Sequence, residues 1–184
     1  MDDSAHRVTD SYYKFVLERS ARKEQSDAWS ENRMGSGEAV VSDVDFLGEE
    51  MHRRRVYLTN EPLIVRIYYK AKERVENPLI GLSFTHVASG TNMAGPNNQF
   101  NDCMIPYMDG EGYLDYRVEH LPFLPGDYLV STAVYDTTNT HRYDYWHQCA
   151  RFTVVPGGTQ ERYGLIALEG KWEHHDSLTG LPSL

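Results

Sequence analysis

The ten residues from Asn139 to Gln148 place Tyr143, Tyr145 and Trp146 among His141, Arg142, Asp144 and His147. Flat rings can cover the C–H side of a pyranose, and neighbouring amide, carboxylate and guanidinium groups can pair with hydroxyls, so this mixture suits a sugar. On an extended strand Asp144, Trp146 and Gln148 share one face, and Tyr143, Tyr145 and His147 share the other. Either face makes an aromatic and polar platform. The competing reading puts Trp146 in the core and Asp144 at a turn. A second stretch, Asn92 to Asp102, carries Asn92, Asn97, Asn98, Gln99, Asn101 and Asp102. Such amides can fix hydroxyls, or serve turn geometry alone. A third is the strand face Arg66, Tyr68 and Lys70, which points outward if Val65, Ile67 and Tyr69 point to the core. An ordinary amphipathic strand has the same pattern.

Other chemistries find less support. His141 and His147 stand six apart without a zinc-ligand spacing. His174-His175-Asp176 is a ligand-like cluster in an expected tail. Asp43 and Asp45 alternate on a strand with no implied cleft, so hydrolysis between two facing acids has no specific basis. The sequence has no serine nucleophile elbow. It also lacks the Gly-x4-Gly-Lys-Ser/Thr phosphate loop, so ATP hydrolysis by this chain alone is not expected. No metal or cofactor is expected.

The 184 residues suffice for one domain with a sizeable core and an extension. The formal net charge is −9, from 18 basic and 27 acidic residues. That balance argues against a nucleic-acid or anionic-membrane surface, which needs clustered Lys and Arg. Arg53-Arg54-Arg55 is short, follows Glu49-Glu50, and reads as a solvated turn. Cys103 and Cys149 are too few for a disulfide scaffold and favour a reducing compartment, with one bridge between them left open. There is no apolar run of membrane-spanning length, no signal-peptide pattern and no Asn-x-Ser/Thr sequon, so the cytosol is expected.

The elements that would position these residues are almost all strands. His6 to Glu24 has helical spacing (Val8, Tyr12, Phe15, Val16). Gln25 to Gly37 reads as a linker containing Trp29, which is expected to dock onto its own domain. From Glu38 onward, period-two alternation recurs with turn signals about every ten residues, which predicts an antiparallel sandwich. Asn60 to Val87 reads as two strands, Leu63–Lys70 and Ile80–Val87, joined by a charged turn. Further strands are expected at Ala39–Leu47, Val56–Leu58, Met104–Met108, Tyr113–Val118, Tyr128–Tyr135 and Tyr143–Val155. Asp109-Gly-Glu-Gly112 reads as a turn, and Tyr163–Leu168 as a final strand tethered through Pro156-Gly-Gly158. The expected organisation is helix and linker over 1–37, a β-sandwich over 38–173 and a flexible tail over 174–184.

Several stretches in order resemble a known family: Gly35-Ser-Gly-Glu-Ala-Val-Val41, Asn60-Glu-Pro-Leu-Ile-Val-Arg-Ile-Tyr-Tyr69, Asn77-Pro-Leu-Ile-Gly-Leu-Ser-Phe84, Gly90-Thr-Asn92, Leu121-Pro-Phe-Leu-Pro-Gly-Asp-Tyr128, Tyr143-Asp144 and Arg151-Phe-Thr-Val154. Together they are similar to the C-terminal carbohydrate-binding domain of the ATP-binding subunit of O-antigen polysaccharide ABC transporters, the Wzt type. The resemblance spans roughly Gly35 to Trp172. It implies a jelly-roll or immunoglobulin-like all-β sandwich, with a short helix ahead of it. It implies recognition of a polysaccharide chain end at the cytoplasmic face of the membrane, without turnover. It also implies a homodimer, with the transporter's membrane subunit and ATPase domain as partners. The candidate carbohydrate contacts are Arg66, Tyr68, Asn92, Asn98, His141, Tyr143, Asp144, Trp146 and His147. The alternative is a dimerisation or docking sandwich, whose last strand pairs with a second copy.

Overall fold

A computed structural model describes residues 32–174. The helix expected over His6–Glu24, Trp29 and the tail beyond 174 lie outside the described residues. Within them the fold is a two-layer β-sandwich without helices. Sheet A has the strand order β1 (Arg33–Met34), β9 (Arg142–Val155), β8 (Gly126–Tyr135), β5 (Leu79–His86), β6 (Asn92–Ala94). A further strand, β3 (Val56–Leu58), also joins β9. Sheet B has the order β2 (Ala39–Leu47), β4 (Leu63–Glu76), β7 (Tyr107–Val118). Pairing is antiparallel except for β3 against β9.

Alternation built both layers as elementary patterning dictates. In β5, Ile80, Leu82 and Phe84 are buried while Gly81, Ser83 and Thr85 are not. In β4, Val65 and Ile67 are buried, which leaves Arg66, Tyr68 and Lys70 on the outer face. The core is an aromatic stack between the sheets. Phe152 lies 5.1 Å from Phe46 and 5.4 Å from Tyr128, ring centre to ring centre, and Tyr128 stacks on Phe123 at 4.7 Å. Burial of such rings, with their offset and edge-on contacts, is the main stabilising term of a sandwich.

Four expectations need correction. The strands of Asn60–Val87 are not a hairpin: β4 pairs with β2 and β7, whereas β5 pairs with β8 and β6. The charged residues from Lys72 to Glu76 continue β4, and Asn77 (φ 44°) with Pro78 sends the chain across to the other layer. Asp109-Gly110-Glu111-Gly112 lies inside β7 rather than in a turn. Gly110 (φ 60°) sits at the step in register where Ala71 faces Gly110 but Val75 faces Met108. No strand forms at Tyr163–Leu168; the segment is pinned through a single bridge, Ile166 to Phe123, flanked by two backbone hydrogen bonds. The stretch before Gly37 is no free linker either. From Asn32 it runs along β9, with hydrogen bonds from His147 N–H to the Asn32 carbonyl and from Gly37 N–H to the Tyr143 carbonyl, both 2.9 Å. Gly35 lies so close that a Cβ there would overlap the Tyr143 carbonyl.

Candidate functional site

On β5 and β8 the outer face of sheet A is built from odd-numbered positions. Gly81 stands opposite Ala133, Ser83 opposite Ser131, and Leu79 opposite Tyr135. On the next strand Ala133 faces Tyr145, and Tyr135 faces Arg142. Small residues therefore floor the middle of this face. Tyr135 stands at the end of β8, Tyr145 and His147 on β9, and Asn92 on β6. Ser83 Oγ donates to Asn92 Oδ1 at 3.2 Å. Tyr145 Oη lies 3.1 Å from His147 Nδ1, and the two rings are near-parallel at 6.0 Å.

A bulge in β9 aims this rim. Val130 faces Ala150 but Thr132 faces Trp146, so β9 carries two extra residues there. Gln148 takes a left-handed conformation (φ 52°), and its N–H donates to Ser131 Oγ at 2.8 Å. Ser131 is 4% exposed, and its hydroxyl also stands 3.4 Å from His147 Nδ1. The bulge thus re-aims a side chain, as bulges do next to binding sites. The arrangement offers rings, hydroxyls and amides with spare hydrogen-bonding positions.

The nine residues expected at a glycan site do not converge. Asn92 and His147 share the sheet-A face. Arg66 and Tyr68 lie on the outer face of sheet B, where Arg66 makes a two-pronged pair with Asp115 (2.7 and 2.8 Å) and its guanidinium covers Tyr113 at 4.2 Å. That pairing holds the Asp115 carboxyl below the usual range and raises Arg66. His141 and Tyr143 sit at one end of the sandwich. His141 Nε2 is 2.9 Å from Ser36 Oγ and 3.4 Å from Glu38, and its ring meets Tyr143 edge-on at 4.9 Å. The Ser36 hydroxyl, above all, lowers the Glu38 carboxyl.

Three expected contacts serve the scaffold. Asp144 is 2% exposed. Its oxygens accept from Arg33 Nε and Nη2, both at 2.7 Å, and from Val41 N–H at 2.8 Å. Arg33 Nη2 in turn donates to the Val41 carbonyl. Asp144 therefore ties β9 to β1 and to the irregular point of β2, because a buried carboxylate needs such partners. Trp146 packs half-buried against the core beneath the Arg33 guanidinium, 4.6 Å from the ring centre. Asn98 uses its whole amide as a loop staple. Oδ1 accepts from Ile80 N–H at 2.7 Å, and Nδ2 donates to the Pro78 (3.2 Å) and Cys103 (3.1 Å) carbonyls.

Tyr135, Ser83 and Ser131 were missed by sequence reasoning, although their outward positions follow from the alternation of β5 and β8. Among the described residues no cluster of three His, Cys, Asp or Glu could hold a metal. Of His174-His175-Asp176, only His174 is described. Cys103 and Cys149 are not bridged. No helix among the described residues is long and apolar enough to cross a membrane.

No curated protein matches the chain significantly by sequence. A family model described as the Wzt C-terminal domain matches residues 30–168. The crystal structure of the C-terminal domain of Wzt superposes with a TM-score of 0.69 at 15% identity, covering 78% of this chain and 87% of that one. A Niemann-Pick type C2 protein from Japanese carpenter ant overlaps at a TM-score of 0.41 (11% identity; 65% of this chain, 93% of that one), too low to bear on function. The same holds for the CARDB domain of PF1109 from Pyrococcus furiosus, at 0.36 (17% identity; 61% and 86%). With more than half its length matched by one family model, and with the same sandwich, this chain belongs to the Wzt C-terminal domain family.

Proposed function

We propose that the protein is a non-catalytic carbohydrate-binding domain. It recognises the end of an O-antigen-like polysaccharide in the cytoplasm and delivers it to an ABC transporter for export. The transporter's membrane subunit and an ATPase domain are its partners. One observation carries this reading: the sheet-A outer face, where Tyr135, Tyr145, His147 and Asn92 surround a floor of Gly81, Ser83, Ser131 and Ala133. Rings beside hydroxyls and amides match a pyranose, and no acid pair stands there to cleave it. Binding is weak to moderate, because a shallow face desolvates few groups. Calorimetric titration with O-polysaccharide tests this directly. Saturable binding without product formation is the expected result, and no saturable binding across a panel of such polysaccharides would overturn it.

A homodimer is part of the same reading. Tyr163, Leu168 and Trp172 are exposed apolar residues on the segment pinned at Phe123, and exchange of this segment with a second copy would cover them. Light scattering over a concentration series should reveal a dimer; monomer at all concentrations removes this part.

A further inference from the structure

The histidines of this fold are spent in different ways. His86 is 8% exposed, its Nδ1 lies 2.9 Å from Ser89 Oγ, and a Cβ at Gly126 would stand 2.8 Å from its Nε2. His141 turns Nε2 to Ser36 and Glu38. His147, on the sheet-A outer face, has Nδ1 held by two hydroxyls, Tyr145 Oη at 3.1 Å and Ser131 Oγ at 3.4 Å. Its Nε2 has no partner among the described residues. Its backbone is fixed as well, through the N–H donated to the Asn32 carbonyl.

The Ser131 hydroxyl decides which ring nitrogen carries the hydrogen. It is buried, and its oxygen already accepts from Gln148 N–H at 2.8 Å, so its own hydrogen must go elsewhere. Among the described residues the one other partner of Ser131 Oγ is His147 Nδ1. A buried hydroxyl hydrogen without an acceptor is costly, so it is directed at Nδ1, which therefore accepts. The Tyr145 hydroxyl shares that acceptor in a three-centre bond and keeps its oxygen open. A neutral imidazole whose Nδ1 accepts carries its hydrogen on Nε2. A carboxylate at Nδ1 would impose the opposite tautomer, and none contacts the ring among the described residues.

We propose that Ser131 is a positioning residue: with Tyr145 it fixes His147 in the tautomer protonated on Nε2, and that Nε2–H donates to an acceptor oxygen of the bound glycan. This rests on the carbohydrate-binding reading above and adds one oriented donor to it. Ser131 and the β9 bulge act on the ligand only through His147. A sugar with no oxygen at that position leaves the N–H unpaired and is discriminated against.

The first test is a long-range proton–nitrogen correlation spectrum of the nitrogen-15-labelled full chain at about pH 8, with the His147 signals identified by their loss in His147→Gln. Wild type should show a protonated Nε2 and an accepting Nδ1. Ser131→Ala should shift the ring towards a mixture of tautomers, and Ser131→Thr, which keeps the hydroxyl, should return it. A serine that only braced the bulge would change the melting temperature and leave the tautomer alone. The second test is calorimetric titration with the best-binding member of a panel of purified O-polysaccharides. His147→Gln puts an amide N–H near the place of Nε2, whereas His147→Asn puts one near Nδ1, so the losses should be about threefold and about tenfold. A wild-type ring protonated on Nδ1, an unchanged tautomer in Ser131→Ala, or equal losses in the two His147 variants overturns the assignment and leaves the glycan reading standing. No saturable binding of any panel member to wild type removes the glycan reading and the Nε2 contact with it.

Discussion

The two outer faces of this sandwich are both polar and both carry tyrosines, yet they differ in what they have left to give. On sheet B, Asp45, Arg66 and Asp115 line up across three strands, and Asp43, Tyr68 and Tyr113 form the next row. Arg53 closes on Asp45 at 2.6 Å, Lys70 on Glu111 at 2.9 Å, and Arg117 stands 3.6 Å from Asp115. A ligand would have to break these ion pairs. On sheet A the Ser83 hydroxyl, the Asn92 amide and the Tyr145 phenol each make one internal bond and retain further donor or acceptor positions. Polarity with aromatics is therefore not enough to mark a binding face; spare hydrogen-bonding capacity is.

That contrast can be broken in four ways. The largest effect belongs to the tie beneath both faces. Asp144→Ala leaves Val41 N–H unpartnered and strips Arg33 of its carboxylate, and should cost ~2–3 kcal/mol in chemical denaturation, discounted from the fully buried case because Arg33 is partly exposed. Next, Tyr145→Ala should weaken glycan binding by about 1–2 kcal/mol while changing stability little, as titration beside a melting curve will show. An equal loss from a sheet-B variant would reverse the assignment of faces.

Third, Asp115→Asn should leave glycan affinity unchanged and lower stability by about 1 kcal/mol at neutral pH. The sign with pH follows from the lowered Asp115 carboxyl. Its contribution is fully present above the unfolded-state pKa near 4 and is lost as pH falls through the folded value. Denaturation at pH 7 and below pH 4 should therefore separate wild type from variant at the higher pH and bring them together at the lower. Smallest is Tyr113→Ala, at ~0.5 kcal/mol or less in stability and nothing in binding, since this 56%-exposed ring mainly supports Arg66.

The layers were legible in the sequence because burial imposes period two, and Val65 and Ile67 placed Arg66 and Tyr68 outside as expected. Partnership was not legible. Alternation says which way a side chain points but not which strand lies beside it, so Asn77-Pro78 passed for part of a hairpin connection. The site was half legible for the same reason. Asn139–Gln148 contains Tyr145 and His147, but Ser83, Ser131 and Tyr135 join them only across strand neighbours. The turn of Asp144 and Trp146 towards the core left no composition signal that separates them from their neighbours. Nor did the β9 bulge, because Gln148 is not a residue type that announces a left-handed backbone.

The two thiols differ as sharply as the two faces. Cys149 is packed against the core, and burial pushes its thiol up to about 12, while Cys103 is exposed on the loop that Asn98 clips to β5. Maleimide dyes react through the thiolate, so they should attach at Cys103 and spare Cys149 in the native protein. The wild-type chain thus comes with a single handle for an environment-sensitive fluorophore, a few residues from Asn97, whose backbone bridges Gly81 on the proposed floor. A sugar settling there could be followed as a change in emission, with no engineered cysteine required.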